Sequence, residues 1–137
     1  MMQITVIETI ASQRAKEVER RRPGVSARVE VQPNRDRAVI SYIGQGVQCG
    51  VEFVESRGSV SHPDVDREYL RFIRDDLYLG ILVPSSLPYQ LEDDLVVRLR
   101  ALREHARDEG YPSTKGTVIY EYDAEGNIER LGVGTSE

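Results

Sequence analysis

The sequence predicts one α/β (α+β) domain: a mixed sheet with helices on its faces, in the order α-β-β-β-α-β-α-β plus a terminal hairpin. Three observations carry this. Three stretches repeat apolar residues at helical spacing. Between the first two lie three runs of alternating or β-branched residues, set apart by turn signals. After the second helix, short apolar runs flank the third, the pattern of strand-helix-strand crossovers.

The first helix is expected from about Ile4 to Arg22, with Ile4, Ile7, Ala11, Ala15 and Val18 on one stripe. Arg20, Arg21 and Arg22 suit the negative end of its dipole, with a nucleic-acid patch as the functional alternative, and Pro23-Gly24 stops it. "SARVEVQ", "RAVISYIG" and "CGVEFVES" read as strands, with "PNRD" as the first turn. Ser61 is a candidate cap for a second helix from Pro63 to Asp76, whose apolar face carries Val65, Tyr69, Phe72, Ile73 and Leu77. "LGILVP" is a continuous apolar run, as in a strand buried on both sides. A third helix is expected over Leu91–Asp108, with Leu91, Leu95, Leu99, Leu102 and Ala106 inward. "GTVIYEY", the turn "DAEGN" and "IERLGVG" form the closing hairpin.

Composition narrows the functional classes. The 137 residues suit a single domain, residues 1–137. No apolar run has the length of a membrane span. Basic residues follow the apolar ones at the N-terminus, the reverse of a secretory signal. One cysteine, Cys49, rules out an internal disulfide framework and fits a reducing, cytoplasmic setting. A net charge of −5 argues against generic polyanion binding and leaves room for a local basic patch.

The stretch "DRAVISYIGQGVQCGVEFVESRG" carries the candidate chemistry. Its glycines do not make a phosphate-binding loop, because a strand rather than a helix follows them. A hairpin turning at Gln45-Gly46 is expected, with Gly50 leaving room for a bulge. In an unbroken ladder Ile40 faces Val51, Ala38 faces Phe53, and Asp36 faces Glu55. Ala38, Ile40, Tyr42, Val51 and Phe53 then share the buried side, and Asp36 and Glu55 meet at its open end. Opposed like charges repel unless water, an arginine, a shared proton or a cation relieves them. Mg²⁺ is the functional option, and Arg57, two residues beyond Glu55, would share that face. An Asp-Arg-Glu cluster with no chemistry is the alternative.

The element order and these residues resemble the restriction-endonuclease-like, or PD-(D/E)XK, nuclease superfamily. The resemblance covers roughly Ile4 to Leu131, with "YLGILVP" similar to that family's fourth core strand. "NRDRAVI" looks like the segment where an Asp opens the second strand, and "VEFVESR" like the acid-x-Lys that closes the third. The resemblance implies a Mg²⁺-dependent nuclease that hydrolyses a phosphodiester in DNA or RNA. Asp36 and Glu55 would hold the ion, Glu8 on the first helix would add a ligand, and Arg57 would stabilise charge on the phosphate. Arg57 departs from the family's Lys, and arginine holds its proton too tightly to act as a base. A rival register puts Glu52 in the acid position. A short domain that grips a duplex would work as a homodimer. The second reading is a non-catalytic interaction module that keeps the nuclease-like fold and has lost its chemistry.

The remaining candidates are weaker. His62, His105 and Cys49 show no zinc spacing. Arg100, Arg103 and Arg107 read as the solvated side of the third helix. Tyr111, Tyr120 and Tyr122 read as hairpin packing, with stacking on bases as the functional alternative.

Overall fold

The computed structural model describes residues 2–112 and 114–131, with side chains from Ile4 onward. It is an α+β fold in which one six-stranded sheet carries three helices. The elements run α1 (Met2–Arg21), β1 (Val25–Gln32), β2 (Arg37–Gly44), β3 (Val47–Val54), α2 (Val65–Arg74), β4 (Tyr78–Pro84), α3 (Tyr89–Asp108), β5 (Thr117–Tyr122) and β6 (Ile128–Arg130). The sheet order equals the chain order. β1, β2 and β3 form an antiparallel meander, β4 and β5 run parallel to β3, and β6 returns antiparallel. The last part of the expected hairpin, residues 132–134, lies outside the described residues.

Two successive crossovers that advance the same way across a sheet and share one hand place their helices on one face. α2 and α3 accordingly pack together on one side, over Phe53, Leu79, Ile81, Val83 and Ile119. Val65, Tyr69, Ile73, Leu95 and Leu99 are buried there, with Leu102 half-buried against them, as their spacing predicts. α1 takes the other face and covers β1, β2 and part of β3. Its stripe of Ile7, Ala11 and Ala15, joined by Ile10, is buried against Ala38, Ile40, Tyr42 and Val54. Among the described residues no helix covers the starts of β4 and β5 on that side.

The hairpin turns at Gln45-Gly46, where positive φ at both residues (54° and 79°) matches the right-handed twist of its strands. Beyond the turn the unbroken ladder fails. Tyr42 pairs with Gly50 and Ile43 with Gln48, so Cys49 is the extra residue of a bulge. From there Ile40 faces Glu52 and Ala38 faces Val54, in place of Val51 and Phe53. The expectation of five apolar residues on one side is therefore corrected. Ala38, Ile40 and Tyr42 face α1, whereas Val51 and Phe53 face α2 and α3. β3 is a central strand with two buried faces, so hydrophobicity does not fix its register.

Two helix details also differ. Ser61 ends a 3₁₀ turn, Ser59–Ser61, and α2 begins later, behind Asp64. The Asp64 amide donates to His62 Nδ1 at 3.1 Å. Arg103 is buried and not solvated, because it follows Leu99 by four residues on the inward stripe. Its guanidinium donates to the Lys115 carbonyl (3.0 Å) and to Thr117 Oγ1 (3.3 Å).

Candidate functional site

The bulge decides where the predicted site residues fall. Asp36 lies outside the β2–β3 ladder, whose last pair is Ala38–Val54. It closes the 3₁₀ turn Pro33–Arg35 in the left-handed region, with φ 55°. Its carboxylate lies near Tyr122, a member of the α1-side cluster, whose phenol is raised by burial and then by the charges of Asp36 and Glu55. The Glu55 side chain instead enters the opposite face. Ser59 Oγ donates to it at 2.6 Å, Tyr69 Oη at 2.5 Å and Arg37 Nη1 at 3.3 Å. Burial and the adjacent Glu55 charge push the Tyr69 phenol well up. Arg37 continues to Glu68, which also takes a two-pronged contact from Arg35. Glu55 and Arg57 both lie past the end of β3; Arg57 is exposed in a turn, so strand alternation does not hold it beside Glu55. Glu8 is exposed on α1. Among the described residues no three His, Cys, Asp or Glu side chains are grouped to hold a metal ion.

Glu52, the rival acid, is the centre of a larger arrangement on the α1 side. It is fully buried and takes four hydrogen bonds. Arg14 Nε and Tyr42 Oη donate to Oε1, at 2.9 and 2.6 Å. Arg14 Nη2 and Tyr78 Oη donate to Oε2, both at 2.7 Å. Arg14 also lies over the Tyr120 ring, 4.7 Å from its centre, and the Tyr78 and Tyr120 hydroxyls meet at 3.0 Å. Burial alone would lower the Arg14 pKa, but the bond and charge of Glu52 outweigh it and hold the guanidinium firmly protonated. Burial and then the Glu52 charge raise the phenols of Tyr42 and Tyr78, which remain donors.

Strand pairing builds this arrangement. Gly50 lies beside Tyr78, and Glu52 beside Gly80. A Cβ on Gly80 would come within 2.6 Å of Tyr78 Oη and 2.9 Å of Glu52 Cγ. A Cβ on Gly50 would touch the Tyr78 ring at 3.0 Å. The two glycines thus leave the space into which Tyr78 folds to reach Glu52.

Above this network opens a cavity of about 740 Å³, over the part of the sheet that α1 leaves bare. Five cationic side chains line it: Arg14, Arg21, Arg22, Lys115 and Arg130. Among the described residues Glu52 is its one acidic lining residue, and Arg14 already pairs with it. Arg21 pairs with Glu17 at 2.8 Å, whereas Arg22 and Arg130 have no carboxylate partner among the described residues. Val18, Val25, Val118 and the tyrosines form the apolar part of the wall. The cations come from the middle and end of α1, the turn before β5 and β6; the triple arginine Arg20–Arg22 announces two of them, and nothing in the sequence joins Arg14, Lys115 and Arg130 to that run. The lone glycine in β3 and the Tyr78-x-Gly80 pattern are the signals that could have located the floor.

Other titratable groups lie apart from the cavity. Glu92 on α3 lies beside Glu121 on β5; burial and that neighbour push its carboxyl up to about 7. Glu92 Oε2 is buried without a hydrogen-bond partner among the described residues, which disfavours the charged form of the carboxyl. His105 is exposed and lies 3.4 Å from Glu109. Tyr122 is buried, with its hydroxyl on the Glu55 carbonyl (2.7 Å), as hairpin packing requires.

Fold and cavity together define an α+β domain with a basic, tyrosine-floored hollow on one sheet face. No protein-family model, curated protein or solved structure matches the chain.

Proposed function

We propose that the chain is a non-catalytic interaction module with a restriction-endonuclease-like fold that binds nucleic acid through the cavity beside α1. The element order and the parallel β3–β4 pair support that fold. One observation carries the function: a chain of net charge −5 gathers five cations, two of them paired with Glu52 and Glu17, around one tyrosine-floored cavity. Such local concentration attracts phosphates against the sign of the whole molecule. Arginine and tyrosine add contacts to bases and sugars. No helix among the described residues is long and apolar enough to cross a membrane.

Binding to fluorescent DNA and RNA oligonucleotides in EDTA tests this reading. Affinity should fall steeply with salt, and Arg22→Gln should weaken binding to every sequence. Salt-independent binding, or none at millimolar protein, would refute it.

The Mg²⁺-dependent nuclease is the second reading, favoured by one observation: Asp36 and Glu55 both lie close enough to Tyr122 to perturb it. Glu55 would have to leave Tyr69 and Ser59 to reach an ion beside Asp36, and Glu8 and Arg57 would have to turn toward it. Cleavage that needs Mg²⁺, is lost in Asp36→Ala and rises in Arg57→Lys would establish that reading over the first.

A further inference from the structure

We infer that the cavity recognises a strand end, taking a terminal phosphomonoester and its nucleotide rather than an internal stretch of backbone. This rests on the nucleic-acid-binding reading above. Its first support is size. A volume of about 740 Å³ lies in the range of small-ligand pockets and holds a nucleotide unit, not a duplex.

The second support is the placement of charge. Arg22, Lys115 and Arg130 approach from three separate elements. Lys115 is held by its own backbone. Its amide donates to Asp76 Oδ1 at 3.0 Å, and its carbonyl accepts from the buried Arg103. The neighbouring Thr114 amide also donates to Asp76 Oδ1, at 2.9 Å. A fixed backbone on both sides sets where the lysine stem starts, and leaves only its side-chain rotamers to be ordered on binding. A terminal monoester carries close to two negative charges and three accepting oxygens, whereas an internal diester carries one charge. Cations arriving from three directions match the monoester. The attached nucleoside would meet Val18, Val118 and Tyr120.

The floor supports the same assignment. The four bonds to Glu52 use up its acceptor capacity, and Arg14 balances its charge. The remaining charge of the wall is therefore positive.

The test compares three forms of one short single-stranded oligonucleotide in EDTA: 5′-phosphorylated, 3′-phosphorylated and unphosphorylated. One phosphorylated form should bind about tenfold more tightly than the unphosphorylated form, the factor for one charge-assisted contact. Inorganic phosphate should compete. Cys49, which lines the cavity, should be protected from a thiol reagent by that form. Lys115→Gln and Arg130→Gln, at exposed positions, should abolish the preference while circular dichroism stays unchanged. Equal affinity for all three forms would overturn this inference and leave nucleic-acid binding intact. Loss of binding to all three would overturn both. A preference that survives the two variants would place the phosphate outside the cavity and refute the assignment.

Discussion

The Glu52 carboxylate sits in the sheet interior with four donors around it, so the cost of disturbing it depends on which partner is removed. Glu52→Gln leaves Arg14 half-buried without its counter-charge, and such uncompensated charges cost about 3–5 kcal/mol. Adding Arg14→Met to Glu52→Gln removes the stranded charge while the Gln oxygen can still accept from a tyrosine, and should recover much of that loss. Urea unfolding of the single and double variants reads the coupling; a double variant as unstable as Glu52→Gln would show that the pair is not the cause. Glu92 gives a pH test. Its folded pKa of about 7 lies above the ordinary 4.5, so the folded chain keeps a proton that the unfolded chain releases between these values. The stabilising contribution is full below pH 4.5 and lost as pH rises to about 7. Glu92→Gln should therefore melt higher than wild type at pH 8 and alike near pH 4. An equal difference at both pH values would remove the retained Glu92 proton from the account.

At the scale of elements, the deciding feature is the single extra residue in β3. The helices, the strands and the buried faces of α2 and α3 were legible, because stripes such as Val65, Tyr69 and Ile73 follow the helical period. The register was not. Gly50 signals a bulge somewhere near the turn, but only packing on both faces places it at Cys49. One residue of slip reassigned every side chain beyond it and separated the Asp36 and Glu55 side chains. The Glu52 network escaped the sequence for another reason: Arg14, Tyr42 and Tyr78 come from three different elements. Arg103 is buried although its charge predicts solvent, because its spacing from Leu99 points inward. The β3–β4 contact makes its own prediction. Gly80→Ala puts a methyl group where Tyr78 and Glu52 meet, and overpacking of this kind costs about 1–3 kcal/mol. A crystal structure of the variant should show Tyr78 displaced from Glu52. An unchanged melting temperature with the bond intact would contradict the role given to that glycine.

Across the whole molecule, connectivity sets the division of labour. Both crossover helices occupy one face, α1 covers only β1, β2 and part of β3 on the other, and the bare region becomes the cavity. The claim that follows is that this hollow, and not the end of the sheet at Asp36 and Glu55, is where the molecule meets its partner. Backbone amide spectra of ¹⁵N-labelled protein, titrated with a short single-stranded oligonucleotide in EDTA, test it most directly. Shifts concentrated at Arg22, Val25, Cys49, Lys115, Val118 and Arg130 are the predicted result. Shifts that cluster instead at Asp36, Glu55 and Arg57, and appear only when Mg²⁺ is added, would contradict it.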